Sequence, residues 1–93
     1  MTVEHVPGRK VGRIMLYALS TCGWCRKTRQ LLEEMGVEYD YEYVDHLAGP
    51  QKDRAMDVVR RWNPGCTFPT LVINDEKCIV GFKEDEIRQA LKA

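Results

Sequence analysis

The chain has no long apolar run and no excess charge of either sign. Its longest uninterrupted apolar stretch is residues 14–19, whereas a membrane-spanning helix needs about 20 such residues. The 14 lysines and arginines balance 14 aspartates and glutamates. Proteins that bind nucleic acid or anionic lipid carry a basic footprint, which this chain lacks. We therefore expect neither nucleic acid nor membrane as a partner.

An N-terminal secretory signal is also missing. Residues 1–10 contain Glu4, His5 and Pro7, where such a signal has an apolar stretch followed by a small-residue cleavage site. We therefore expect a cytoplasmic protein. Because cytoplasmic thiols are kept reduced, a close cysteine pair there is more often catalytic or metal-binding than structural.

Cysteines are few and unevenly spaced, at Cys22, Cys25, Cys66 and Cys78. This spacing is not that of a disulfide framework, and it lacks the second close pair of a zinc ribbon. A metal site built on the first pair would need further ligands from Cys66, Cys78, His5 or His46, none at a matching spacing. We expect no metal and no cofactor, and keep a zinc or iron–sulfur binding module as the less favoured alternative.

The hydrophobic pattern predicts one α/β domain at residues 13–93 after a loose lead-in at residues 1–12. Strands are expected at residues 14–19, 39–44, 70–73 and 77–80, and helices at residues 25–35, 51–62 and 84–92. The first two strands are separated by a helix and should be parallel, and the last two should form a hairpin. This order is βαβαββα.

The motif Cys22-Gly23-Trp24-Cys25 follows the first strand and opens the first helix. Helix N-termini leave backbone N–H groups unpaired, and a thiolate placed there accepts them. The thiolate is the nucleophile of disulfide exchange. Cys22 should be the exposed attacking thiol, and Cys25, about one turn deeper, should resolve the mixed disulfide.

A second chemical signal is the segment Thr67-Phe68-Pro69, which opens the third predicted strand. Proline cannot donate to a sheet ladder, so it suits an edge or an unusual backbone. A cis peptide before Pro69 would turn the neighbouring backbone toward the cysteines, where an extended substrate could pair with Phe68. Trp24, at the crest of the active loop, is expected either to contact substrate or to pack within the loop.

Taken together, these motifs resemble the glutaredoxins, and the resemblance covers residues 12–92. It implies a thioredoxin-like fold with a four-stranded mixed sheet and three helices. It also implies a nucleophilic Cys22, a cis Pro69, and a redox-active Cys22–Cys25 disulfide in place of a cofactor. Thr67, Phe68, Pro69, Trp24 and Asp85 are the expected substrate-binding residues.

The chain departs from the usual glutaredoxin pattern at three places. Gly23-Trp24 replaces Pro-Tyr between the cysteines, Leu19 replaces a glutathione-binding lysine, and Gly81-Phe82 replaces Gly-Gly. The string at residues 81–85 is similar to that of redoxins that serve ribonucleotide reductase and are reduced by a flavin disulfide reductase. We therefore expect a monomer with protein disulfide substrates, ribonucleotide reductase being one candidate, and a flavin or ferredoxin-linked reductase. Glutathione-dependent deglutathionylation is the alternative.

Overall fold

A computed structural model describes residues 3–91 and contains one mixed sheet with helices on both faces. The strands are β1 (Glu4–Val6), β2 (Ile14–Ala18), β3 (Tyr39–Tyr43), β4 (Thr70–Ile73) and β5 (Lys77–Val80). The helices are α1 (Gly23–Met35), α2 (Gly49–Trp62) and α3 (Glu84–Ala90), and a 3₁₀ turn, Val44–His46, precedes α2. Within the described residues, no helix has both the length and the apolar character needed to cross a membrane.

The sheet has the strand order β1-β3-β2-β4-β5. Strands β2 and β3 are parallel, with Ala18 opposite Tyr43, and the other pairs are antiparallel. Apart from β1, this is the predicted βαβαββα order, and the thioredoxin-like fold is confirmed. Because β2 and β3 run in the same direction, their carboxyl ends meet at one edge of the sheet, where α1 begins.

The predicted strand count of four was wrong, because the structure has five. Residues 4–6, expected in a loose lead-in, form β1 and pair antiparallel with β3, with Glu4 opposite Tyr41 and Val6 opposite Tyr39. Three half-polar residues carry almost no strand signal of their own, and the pairing is provided by the otherwise free edge of β3. The ends of the predicted domain, residues 92–93, and the start of the lead-in, residues 1–2, lie outside the described residues, as does residue 92 of the predicted last helix.

Two layers of apolar side chains hold the helices to the sheet. One core cluster joins the sheet to α1 and α3; its fully buried members include Leu16, Ala18, Leu32, Ile87 and Leu91. Burying an aliphatic side chain of this size contributes about 1.5–3 kcal/mol. On the other face α2 contributes the buried side chains of Ala55 and Val59, which lie outside that cluster. The position of α1 is therefore fixed by its buried face.

Polar contacts also dock α1 onto β3. The Arg29 guanidinium donates to the hydroxyl of Tyr43 at 2.7 Å and to that of Tyr39 at 3.3 Å. Its central carbon lies 3.9 Å from the centre of the Tyr41 ring, which is cation–π geometry. These contacts tie the second turn of α1 to the strand that precedes the 3₁₀ turn.

Candidate active site

Cys22 is the N-cap residue of α1, with an extended backbone at φ −91° and ψ 119°. Its Sγ accepts a hydrogen bond from the backbone N–H of Cys25 at 3.2 Å. Its own N–H donates to the carbonyl of Leu19 at 3.2 Å, which closes the turn before the helix. The half-buried Cys22 sulfur thus has an N–H donor and the positive end of a helix beside it. Both favour a thiolate at this atom.

Cys25 has the opposite environment. Its side chain is 1% exposed and belongs to the main core cluster. Burial, followed by the hydrogen bond to the Cys22 side chain, raises the pKa of Cys25 to about 12. All four cysteines are free thiols. Cys25 is therefore a protonated, protected thiol within bonding reach of an accessible one, which is the asymmetry expected of a resolving and an attacking cysteine.

Alkylation of the reduced, folded protein should label Cys22 before Cys25. The reactive species is the thiolate, so labelling of Cys25 should stay low near neutral pH and rise only in alkaline solution. Peptide mass mapping after a brief iodoacetamide pulse at several pH values measures this. In urea the two cysteines should react at similar rates, which serves as the control. Preferential labelling of Cys25 in the folded protein would reverse the assignment.

An apolar cavity of about 240 Å³ lies next to Trp24. Its lining residues are Trp24, Phe68, Pro69, Gly81 and Phe82. The Phe68–Pro69 peptide is cis, as the resemblance implies. The Trp24 ring is stacked on Phe82, with centroids 6.1 Å apart, and the Trp24 side chain is 59% exposed. The structure thus brings three predicted substrate residues together and adds Phe82 to them.

Thr67 and Asp85 are placed differently. The Thr67 carbonyl accepts hydrogen bonds from the Thr70 hydroxyl at 2.8 Å and from the Asn63 side chain at 3.0 Å. Asp85 is exposed in the first turn of α3. Neither residue lines the cavity beside Trp24. Their substrate-binding roles stay predictions.

Asn63 is a contributor that the sequence interpretation missed. It was treated only as part of a helix stop, but its side chain is buried and its amide nitrogen donates to the Thr67 carbonyl, the Thr67 hydroxyl and the Thr70 hydroxyl. Its side-chain oxygen accepts from the N–H of Gly65. Asn63 therefore ties the end of α2 to the loop that carries Pro69.

The Asn63→Ala substitution should lower the free energy of unfolding by about 1–3 kcal/mol, because it leaves buried hydroxyl and carbonyl groups unpaired. Urea denaturation followed by circular dichroism measures the loss. Gln89→Ala, which removes an exposed amide from α3, is the matched control and should change stability by less than about 0.5 kcal/mol. Equal effects of the two substitutions would remove the anchoring role of Asn63.

The remaining two cysteines lie in separate elements. Cys66 is half-buried in the loop after α2 with a positive φ of 52°, and Cys78 is half-buried in β5, where burial raises its pKa. Among residues 3–91, no group of three or more His, Cys, Asp or Glu side chains is placed to hold a metal ion.

An exposed cysteine at a helix N-terminus, a buried cysteine one turn on and a cis-proline loop nearby define a thiol–disulfide exchange site. The glutaredoxin family model matches residues 14–79. The chain therefore belongs to the glutaredoxin family, whose members are thiol–disulfide oxidoreductases.

Solved structures agree over nearly the whole chain. A glutaredoxin from Methanosarcina mazei Go1 is 52% identical with a TM-score of 0.92, over 100% of this chain and 90% of that one. A methanoredoxin from Methanosarcina acetivorans is 50% identical with a TM-score of 0.89, over 92% of this chain and 90% of that one.

Curated relatives match more distantly. An uncharacterised glutaredoxin-like 8.6 kDa protein in the rubredoxin operon of Clostridium pasteurianum is 30% identical over 85% of this chain and 97% of the relative. Bovine glutaredoxin-1 is 30% identical over 75% of this chain, and the match spans 66% of the bovine protein.

Proposed function

We propose that this protein is a dithiol oxidoreductase that reduces disulfides in other proteins through Cys22 and Cys25. The observation that carries the proposal is the asymmetry of the pair. The Cys22 sulfur caps α1 and accepts the Cys25 N–H at 3.2 Å, whereas Cys25 is 1% exposed. One thiol is therefore available to a macromolecular substrate, and the other is held back for an internal reaction.

The reaction proceeds by two exchanges. The Cys22 thiolate attacks one sulfur of the substrate disulfide, so that the substrate S–S bond breaks and a bond forms between Cys22 and the substrate. The departing substrate sulfur takes up a proton. Cys25 then loses its proton and attacks the Cys22 sulfur, which releases the second substrate thiolate. Two electrons have moved to the substrate, and the protein holds a Cys22–Cys25 disulfide.

Burial of Cys25 has a use in this sequence. While Cys22 is a thiolate, two adjacent negative sulfurs would repel each other, and the buried Cys25 stays protonated. Once Cys22 is in a mixed disulfide, its negative charge is gone and one cause of the raised Cys25 pKa is removed. Deprotonation of Cys25 then becomes easier at the step that needs it.

The substrate is proposed to dock at the cavity beside Trp24. The lining contains two aromatic rings besides the Phe68 side chain and no charged group. The cis-proline loop is the place where an extended substrate would pair with the backbone of Phe68, and Thr67 and Asp85 are proposed as further contacts. Lys27 lies with its Nζ 4.8 Å from the Trp24 ring centre, at the outer side of this surface.

A disulfide reductase, flavin-dependent or ferredoxin-linked, is the proposed source of electrons. Leu19 offers no charge for a glutathione carboxylate, and Phe82 fills the place of a small residue. The relative from the Clostridium rubredoxin operon fits a setting of electron-transfer proteins. We further propose a cytoplasmic monomer that acts on protein disulfides, with ribonucleotide reductase as one candidate.

Reduction of insulin, with dithiothreitol as the electron source, tests the proposed reaction. The wild type should accelerate the appearance of insulin precipitate well above the rate with dithiothreitol alone. A variant with both Cys66→Ser and Cys78→Ser should keep activity within about twofold of the wild type, since surface thiols outside the pair take no part. Loss of activity in that double variant would show that the Cys22–Cys25 pair is insufficient.

A further inference from the structure

Asp45 connects the 3₁₀ turn after β3 to the loop that leads into the cysteine pair. Its Oδ1 accepts the backbone N–H of Ser20 at 2.9 Å, and its Oδ2 accepts the Ser20 hydroxyl at 2.5 Å. Hydrogen bonds to a charged acceptor are shorter and stronger than neutral ones. One carboxylate therefore holds both the backbone and the side chain of a single residue 25 positions away in the chain.

Ser20 is the residue whose position decides where Cys22 lies. It follows the end of β2 and sits inside the turn closed by the hydrogen bond from the Cys22 N–H to the Leu19 carbonyl. Neither side of the turn is part of a regular element, since β2 ends at Ala18 and α1 begins at Gly23. Asp45 thus fixes an irregular segment of the active loop from the neighbouring parallel strand.

The same carboxylate contributes a negative charge beside the buried thiol. The groups that act on Cys25 are its own burial, the side chain of Cys22, the backbone at Leu19, which lowers the Cys25 pKa, and Asp45, which raises it. The Ser20 hydrogen bonds lower the pKa of Asp45, with a smaller contribution in the same direction from His46. Asp45 is therefore ionised at neutral pH.

We propose that Asp45 is a positioning residue for the thiol pair: it anchors the Ser20 turn that places Cys22 at the end of α1, and its charge disfavours a thiolate at Cys25. The proposal rests on the dithiol function proposed above. It assigns to Asp45 the sorting of the two thiols into attacker and resolver, through the loop and through its field.

Three variants separate these effects. Ser20→Ala removes one hydrogen bond and keeps the charge, whereas Asp45→Asn removes the charge and keeps one acceptor for the Ser20 N–H. Asp40→Asn is the control, because Asp40 is a carboxylate near the start of the same strand, paired with His5 at 2.6 Å. Circular dichroism checks folding, and Asp45→Ser replaces Asp45→Asn if the latter does not fold.

The measurements are the rate of insulin reduction and the pH profile of Cys25 alkylation. Insulin reduction should slow about three- to tenfold in Ser20→Ala and in Asp45→Asn, and should be unchanged in Asp40→Asn. The alkylation profile of Cys25 should shift to lower pH in Asp45→Asn and not in Ser20→Ala. An unshifted profile in Asp45→Asn, or the same shift in both variants, overturns the proposal. Alkylation needs no substrate, so it tests Asp45 even if the wild type fails to reduce insulin, an outcome that would overturn only the proposed function.

Discussion

Replacing Cys22 by serine is expected to reduce disulfide reduction to the background rate of the chemical reductant. Cys22 is the cysteine with both solvent access and the α1 N-terminus beside its sulfur. A serine hydroxyl in this place does not ionise near neutral pH and cannot form a disulfide. Insulin reduction with dithiothreitol measures the effect, and the double variant Cys66→Ser and Cys78→Ser serves as the control for thiol loss.

Replacing Cys25 by serine should have a different outcome, because the first exchange is left intact. Cys22 would still attack, but no internal thiol could release the substrate, so a mixed disulfide should accumulate. Non-reducing electrophoresis and peptide mass mapping should find the substrate bonded to Cys22. Substrate bonded to Cys66 instead, or continued full turnover of Cys25→Ser, would contradict the proposed order of events.

Glutathione is expected to be a poor reductant for this protein. Holding the tripeptide takes charged anchors for its carboxylates and space for its γ-glutamyl end. Leu19 removes one expected cation, and Phe82, stacked on Trp24, occupies the place of a small residue. Each lost charge-assisted contact weakens binding by about 1.5–3 kcal/mol, so two losses correspond to about a hundredfold or more in affinity.

The test compares turnover of a glutathione mixed disulfide by the wild type and by the double variant Leu19→Lys and Phe82→Gly. The wild type should be slow with glutathione as sole reductant, and the double variant should gain substantially. Phe82→Tyr keeps the ring stacked on Trp24 and should give no gain. Rapid turnover by the wild type, with no improvement in the double variant, would instead indicate a glutathione-dependent glutaredoxin. A parallel series with thioredoxin reductase and with a ferredoxin-linked reductase identifies the class of electron donor.

Local patterns were enough to predict most of the fold. The apolar run beginning at Ile14 was predicted as a central strand, and the segment after Cys22 as a helix, because each carries its own periodicity and end signals. Strand β1, Glu4–Val6, has no such signal, because it exists through pairing with an edge that the chain builds about thirty residues later. Pairing partners of this kind are not encoded locally.

The candidate site shows the same division. The Cys22–Cys25 pair and Pro69 were found because their spacing and residue types carry the chemistry. Phe82 was noted only as a departure from a pattern, and its stacking on Trp24 depends on the packing of α3 against α1. Asp45 was treated as part of a loop, since a carboxylate after a strand has many uses. Its bonds to Ser20 appear only when β2 and β3 are placed side by side.

The most direct measurement of the central claim is a single-turnover reaction of the reduced wild type with a disulfide-containing protein, in the absence of any other reductant. Peptide mass mapping of the products should find one Cys22–Cys25 disulfide formed for each substrate disulfide reduced to two thiols, with Cys66 and Cys78 still free. Reduction of the substrate without formation of the Cys22–Cys25 disulfide, or a product in which Cys22 is bonded to another cysteine of the chain, would contradict the account.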